Sequence, residues 1–487
     1  MKRTPVVVID NGASTIKVGL STSPKAVRYA LALMRCVSTT SHTLTGSDKK
    51  TYFGHEFDAC HDHSLLHFRL PFEKGYIVDW DAQKAIWDGM FSEGLLGIDA
   101  TESSILITEP YLNLPKIQDI YDQFVFEEYE FQSYYRCTRT HVHIHVDARS
   151  PLTWAPSFFL EAASLIPHGK LYSKPSLPTP ECMLVVDSGF SFTHVVPIIN
   201  GVVQWSSVKR VDVGGKLLTN HLKELVSFRQ WNMMDETHIM NDVKETCCYV
   251  STSFAADLEA CRANPRSNPI VQEYILPDFS ANRRGRVRQP GDPPLSEGDQ
   301  ILNMGNERFS VPEILFRPDD IGLPQCGIAG AIAQSIASLP DDLQGLFWAN
   351  IGLIGGNVKF PGFAARLMSE LRSLAPVDCE VVIYESTDAI HEAHHSALAL
   401  SKLSSFPALT VSRAEYLESG SNACRRKFGG LGADDDVQET GGAEGRKGKG
   451  RAKHVDSDGD ELMSDEPTPQ PKVVRTRTRT VSGVKRR

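Results

Sequence analysis

Two short runs in this chain place an acidic residue, a small polar residue and a glycine directly after an apolar stretch of strand length. Val6-Val7-Val8-Ile9 leads into Asp10-Asn11-Gly12, and Met183-Leu184-Val185-Val186 leads into Asp187-Ser188-Gly189. Branched apolar residues favour the extended chain, and Asn-Gly marks a tight hairpin turn. After the first turn Ile16, Val18 and Leu20 alternate with Thr15, Lys17 and Gly19, the period of a half-buried strand, which sends Lys17 to the face opposite the apolar set. Two facing hairpins of this kind would present backbone N–H groups to a polyphosphate from both sides. Their carboxylates would hold Mg²⁺ through the waters that ion retains. One such turn alone is an ordinary strand end; the recurrence is what points to a site. A third glycine signal, Ile351-Gly352-Leu353-Ile354 followed by Gly355-Gly356-Asn357, reads most simply as a loop kept small for packing.

The elements that would position these residues alternate between strand and helix patterns. Ser104–Thr108 reads as a strand ending at Glu109-Pro110, and residues 116–131 read as helical. Strand, turn and strand follow from 183, then a helix from Gly215 through Leu217, Leu218, Leu222 and Leu225, and a second helix over 240–258. Helical apolar spacing returns at 328–339 and 363–374, while 279–299, rich in Arg, Pro and Gly, reads as a surface loop. There is no short-period repeat. The paired Asp-x-Gly hairpins are the one internal echo, and they imply two related α/β lobes.

Bulk properties narrow the class. A chain of 487 residues has room for a sizeable core in two large lobes with appendages. The formal net charge of −9 argues against a globally basic nucleic-acid binder. No apolar run approaches the roughly 20 residues needed to span a bilayer. Met1-Lys2-Arg3 resembles the start of a signal peptide, but the apolar stretch behind it breaks at Asp10. The 10 cysteines include Cys247-Cys248 and no C-x-x-C pair, which fits reduced thiols in cytosol or nucleus. From about Gly429 the composition shifts to Asp434-Asp435-Asp436, a Gly/Lys/Arg stretch, an acidic patch and a basic end at Arg475–Arg487. Such a segment reads as a solvated, disordered tail over 429–487, or at its basic end as a nuclear-import or nucleic-acid contact.

Longer stretches carry a resemblance. Gly305-Asn306-Glu307-Arg308-Phe309, Pro312-Glu313, Cys326-Gly327-Ile328, Gly355-Gly356-Asn357, Phe360-Pro361-Gly362 and Ser412-Arg413-Ala414-Glu415-Tyr416 resemble actin. The segments Asp187 to His194, Val213 to Glu224, Met234 to His238 and Leu276 to Ser280 are more similar to a nuclear branch of the actin-related proteins. The resemblance covers nearly all of 5–428. It implies the actin-like ATPase fold, two ribonuclease-H-like lobes around a nucleotide cleft. The first lobe would span 1–179, the second 180–385, and 386–428 would return to the first. By position, Asp10, Asn11, Gly12 and Lys17 would line the first phosphate loop and Asp187, Ser188 and Gly189 the second. Lys244, Glu245, Gly356 and Phe360 would surround the adenosine of ATP, bound with Mg²⁺.

The departures from actin bear on function. Ala13-Ser14 stand where actin has Ser-Gly, which removes one hydroxyl near the phosphates. Phe190 stands where actin's second loop carries another aspartate, and Leu160 aligns with the glutamine that orients actin's attacking water. These changes imply a nucleotide that is held structurally and not hydrolysed, or a cleft that holds none. The nuclear branch resembles dedicated subunits of the Swr-type chromatin remodelling complex, which exchanges ordinary histone dimers for a variant form. That implies a non-catalytic scaffold in the nucleus that binds a zinc-finger partner and helps couple the motor ATPase, another chain, to the nucleosome. An active actin-like ATPase or filament former is the alternative, weakened because residues 35–50 do not resemble actin's polymerising loop.

Other motifs compete. His391-Glu392-Ala393-His394-His395 matches H-E-x-x-H, so His391 and His395 could bind zinc with Glu392 as base and Glu415 as third ligand, a metallohydrolase reading. Against it, the flanks resemble actin's return into its first lobe, where an aromatic-x-Gly-Gly turn is expected and missing here. His141, His143 and His145 would share one face of a strand and suit either a metal or a plain surface strand. Residues 138–154 have no counterpart in the family and read as a lineage-specific insert or a wrongly retained piece of the gene model. His61 and His63 read as solvent-exposed.

Overall fold

The computed structural model describes residues 4–22, 27–30, 36–39, 49–52, 70–137, 182–199, 202–263, 268–278, 283–296 and 298–428. The chain divides into a compact unit, Met1–Val437, and a second unit, Gln438–Arg487; all described residues belong to the first. The expected tail, the candidate insert 138–154, Leu160, the His141–His145 run, His61 and His63 lie outside the described residues.

Strands β1 (Val6–Asn11) and β2 (Ile16–Leu20) form the first antiparallel hairpin, with Asp10 opposite Lys17 and Asn11 opposite Ile16. The expected Asn-Gly turn is corrected here: Asn11 stays in the strand, and residues 12–15 make the loop. β2 is buried on both faces, so the half-buried reading also fails, and Lys17 is enclosed with its partner Asp10. β3 (Val27–Ala30) pairs with β2, while β4 (Cys36–Thr39) with β5 (Lys49–Tyr52) and β6 (Phe72–Glu73) with β7 (Tyr76–Ile77) are separate hairpins. β8 (Ser104–Thr108) lies parallel to β1 and β9 (Ser133–Cys137) parallel to β8. β19 (Val411–Ser412), near the end of the described chain, closes this sheet antiparallel to β9.

The second large sheet repeats the plan. β10 (Cys182–Ser188) and β11 (Thr193–Ile199) form its hairpin, and β12 (Val202–Val203) and β13 (Lys209–Val211) both pair with β11. β17 (Ile351–Ile354) lies parallel to β10 and β18 (Ile383–Glu385) parallel to β17. β14 (Gln272–Ile275), β15 (Arg286–Val287) and β16 (Ile301–Met304) form a small third sheet. In each large sheet an antiparallel hairpin is followed outward by two parallel strands, and parallel strands need cover on both faces. β10 supplies both covers by simple alternation. Met183 and Val185 join the core of the first sheet, whereas Cys182, Leu184 and Val186 join a second core. One continuous apolar cluster therefore reaches from β1 to one face of β10.

The helices follow the expected spacing with two corrections. Gly215–Arg229, Ile328–Ala337 and Phe363–Leu374 are helical. The 116–131 pattern becomes an α-helix, Pro115–Gln123, and a π-helical turn, Phe124–Glu128, that sends Val125 and Phe126 into the core. The 240–258 pattern splits into Thr237–Cys247 and Phe254–Ala263. It breaks because the Tyr249 and Val250 amides donate to Arg308 and Pro361 carbonyls, which takes them off the helical ladder. The Arg-rich 279–299 stretch is only partly loop. β15 pairs there with β14, and Arg283, Arg286 and Arg288 are tied to Asp278, Asp292 and Glu273. Among the described residues no helix is long and apolar enough to cross a membrane.

Candidate functional site

The first hairpin is held by its neighbours in the sheet and by two helices. Register sets Asp10 beside Thr108 on β8, and the Thr108 hydroxyl donates to Asp10 Oδ1 at 2.8 Å. Lys17 Nζ lies 3.0 Å from Asp10 Oδ2. Burial alone would raise the Asp10 pKa, but the Lys17 charge and the Thr108 and Lys17 hydrogen bonds outweigh it and hold the carboxyl below its ordinary range. Asn11 is buried; its amide donates to Tyr121 Oη at 2.7 Å, and Gln83 Nε2 donates to its carbonyl at 3.3 Å. The loop that carries Gly12 thus starts from a strand end with little freedom.

The second hairpin is locked by groups around its own sheet. The Ser188 and Thr193 hydroxyls lie 2.8 Å apart, Thr193 donates to the Val213 carbonyl, and Gly189 N–H closes the turn on the Phe192 carbonyl. Asn357 donates to Ser188 Oγ at 3.1 Å and to the Gly189 carbonyl at 2.7 Å. Gly355 has φ +94°, and a Cβ there would stand 2.3 Å from the Ser188 carbonyl oxygen, so the third glycine signal is a close backbone approach against the second hairpin. The helix Gly215–Arg229 begins on the same loop. Its Gly215 and Lys216 N–H groups donate to the Gly189 and Phe190 carbonyls at 3.0 and 2.8 Å.

The two hairpins come close enough for their charges to interact. Burial, and then the charge of Asp10, push Asp187 up to about 7, against the pull of Lys17. Two buried carboxylates from different sheets thus influence each other. A second link sits at the rim. Gly75, between β6 and β7 with φ +76°, would bring a Cβ to 2.5 Å from Phe192 Cε2. The Tyr111 and His194 rings are 5.1 Å apart, and Arg210 lies 4.6 Å above the Phe192 ring.

Two of the residues expected around adenosine, Lys244 and Glu245, are engaged within the protein. Lys244 is buried and donates to Gly215 O at 3.3 Å, Thr219 Oγ1 at 3.0 Å and Asn241 Oδ1 at 2.8 Å; burial lowers its pKa. Glu245 accepts from Asn241 at 2.6 Å. Phe360 belongs to the second core. The Phe190 ring stands beside Gly215, 3.3 Å from where a Cβ there would be. Only Gly356 faces open space, with nothing within 4 Å of the position a Cβ would take.

The H-E-x-x-H motif takes a structural role. His391 caps the helix Glu392–Ser401, with Nδ1 at 2.8 Å from Asp388. Glu392 accepts from Ser386 at 2.6 Å, and Glu415 completes a capping box with Ser412. Among the described residues no group of three His, Cys, Asp or Glu could hold a metal ion. His394 is fully buried near Asp10, and neither ring nitrogen has a hydrogen-bond partner among the described residues. Burial lowers its pKa to about 4, against the raising charge of Asp10.

The donor set can be tested against a magnesium nucleotide. The phosphate end fits: two opposed carboxylates repel each other and a divalent cation relieves them, with Lys17 alongside. At the base end Lys244 and Glu245 are bonded within the protein, and Gly356 is open. Sequence reasoning missed Thr108, Tyr121, Gln83, Thr193, Asn357 and His394. Thr108 was within reach, since a strand at 104–108 parallel to β1 puts its last residue beside Asp10.

Two large sheets of one topology, each ending a strand in an Asp-bearing hairpin, define a mixed α/β protein of the actin-fold class. The chain belongs to the actin family, whose profile matches residues 1–429. It is similar to the actin-like protein ARP6 of Cryptococcus neoformans, 46% identical over 89% of this chain and 86% of the relative. It is also similar to the actin-related protein 6 of Drosophila melanogaster, 34% identical over 85% of this chain and 97% of the relative. The actin-related protein 6 of Oryza sativa subsp. indica is 33% identical over 87% of this chain and 98% of the relative. These relatives carry the name of the actin-related branch singled out from the sequence.

Proposed function

We propose that this protein is a non-catalytic actin-related scaffold of the nucleus, a subunit of a Swr-type remodelling complex that exchanges histones for a variant form. It would bind a zinc-finger subunit and the motor ATPase, and touch the nucleosome through them. The observation that carries the non-catalytic part is Phe190. An apolar ring occupies the second loop beside Gly215, where hydrolysis by an actin-type site needs a carboxylate. Any bound nucleotide with Mg²⁺ is then a structural ligand at the Asp10 and Asp187 hairpins. The similarity to proteins named actin-related protein 6 supports the assignment of branch. Affinity purification of the tagged chain from nuclei, with identification of the co-purifying subunits, tests it. Recovery of a zinc-finger subunit and a remodelling motor in stoichiometric amounts is expected, and recovery of filaments or of the chain alone would refute it.

A further inference from the structure

Where the chain leaves the helix Gly215–Arg229, polar side chains turn toward the protein and apolar ones toward water. Residues 229–231 run beside β16, the outer strand of the three-stranded sheet. Arg229 Nη1 donates to Asn306 Oδ1 at 3.1 Å, and Trp231 Nε1 donates to the Ile301 carbonyl at 3.0 Å. Gln230 donates to the Asn303 carbonyl at 3.0 Å and accepts from its N–H at 2.7 Å. These side chains occupy the outward main-chain groups of Ile301 and Asn303, so this edge offers no ladder to an incoming strand. The next residues are tied down as well. Buried Lys223 donates to the Met234 carbonyl at 3.1 Å and to Thr237 Oγ1 at 3.0 Å, and the Met233 N–H donates to Ser227 Oγ at 2.8 Å. On this fixed frame Phe228 is 92% exposed, and Trp231 and Met234 are close to half exposed. Large apolar side chains ordered before a partner arrives lose little entropy on binding, and aromatic residues are enriched at interface centres.

The rim of this patch is acidic. Glu224, one helical turn before Phe228 and on the same face, is exposed, as are Asp235 and Glu236 directly after Met234. The two cations within residues 223–236 are engaged: Lys223 is buried, and Arg229 pairs with Glu307 at 3.2 Å. Arg286, on β15, lies at the opposite edge of the small sheet.

We propose that Phe228, Trp231 and Met234 form a docking surface for a helix of another protein, one whose apolar face is flanked by Lys and Arg. The closed edge of β16 excludes strand addition and leaves side-chain packing against an amphipathic helix. The acidic rim attracts basic flanks and repels nucleic-acid phosphates and anionic lipid. The docking rests on this surface alone, whichever complex the chain joins.

The test uses the full chain and two fluorescent model peptides of about 18 residues, five helical turns. One is an amphipathic helix of Leu and Lys, and the other replaces every Lys with Glu. Fluorescence anisotropy gives the dissociation constants for the parent and for Phe228→Ser/Met234→Ser, which keeps every charge. The Leu/Lys peptide is expected to bind the parent at least about ten-fold tighter than it binds the double variant, and at least about ten-fold tighter than the Leu/Glu peptide binds the parent. A second variant, Glu224→Lys/Asp235→Lys, leaves the apolar patch intact and should shift the preference toward the Leu/Glu peptide. Equal binding by parent and Phe228→Ser/Met234→Ser overturns the inference, because the attraction is then to net charge alone. Equal binding of the two peptides by the parent, or no binding of the Leu/Lys peptide, also overturns it. Sedimentation of the parent alone supplies the last arm: a dimer that disappears in Phe228→Ser/Met234→Ser would assign the surface to a second copy of this chain and refute the proposed partner.

Discussion

Asp187 feels the charge of Asp10: burial and that neighbouring carboxylate bring it to about 7, although the two residues belong to different sheets. The value lies above the ordinary 3.8, so the folded state binds more protons than the unfolded state between about pH 4 and 7. The stability contributed by this group is complete below pH 4 and is lost as pH rises through 7. Asp187→Asn cannot ionise and escapes that loss. Its stability relative to the parent should rise by about 1–3 kcal/mol between pH 5 and pH 8 in urea unfolding. Saturating Mg²⁺ should shrink the gap at pH 8, because the cation compensates the ionised pair. A difference that does not change with pH would show that the two carboxyls do not interact.

Gly355 and Gly356 are adjacent, yet their substitutions should behave oppositely. Gly355 combines φ +94° with contact against Ser188, whereas Gly356 has open space around it. Gly355→Ala should cost about 2–4 kcal/mol and Gly356→Ala should stay within about 0.5 kcal/mol. Equal effects would mean that the second hairpin is not seated on this loop.

The rim contact makes a related prediction. Gly75→Ala must push the Phe192 ring aside at a backbone angle that alanine disfavours, so a loss of about 1–3 kcal/mol is expected. In Gly75→Ala/Phe192→Ala the ring is gone and only the backbone term remains. The double variant should therefore lose less than the sum of the two single changes. Strict additivity by thermal unfolding would place the two residues apart.

His394 carries two buried ring nitrogens without partners among the described residues, near a carboxylate. Its folded pKa of about 4 is below the ordinary 6.5, so its contribution to stability is complete above pH 6.5 and lost as pH falls toward 4. His194, lowered to about 3 by burial and by Arg210, acts in the same direction. His394→Leu removes two unpaired polar atoms at similar volume. It should match or exceed the parent in stability at pH 7.5, and should be less acid-labile between pH 6.5 and 4. A large loss at pH 7.5 would reveal a partner for the ring.

The paired hairpins were legible because their signal is local: an apolar run, then Asp, a small polar residue and Gly. The parallel strands β8 and β17 were legible as apolar runs, but their pairing partners were not, since register is a long-range property. That is why Thr108 and Asn357 were missed as the residues that hold Asp10 and Ser188. The split at Tyr249 and Val250 was hidden for the same reason: amides bonded to Arg308 and Pro361 overrode helical spacing. His391 and His395 look like zinc ligands in sequence because i, i+4 spacing is all the motif encodes. It does not encode that Asp388 already holds His391. At the base end, the sequence did not show that Lys244 and Phe360 are held or enclosed by neighbours far along the chain.

Phosphate release from the purified full chain with Mg·ATP, followed over hours beside a buffer blank, tests most directly whether these hairpins hold a polyphosphate without cleaving it. The account predicts release indistinguishable from the blank, with Asp187→Asn no different from the parent. Release that scales with protein concentration and disappears in Asp187→Asn would contradict it.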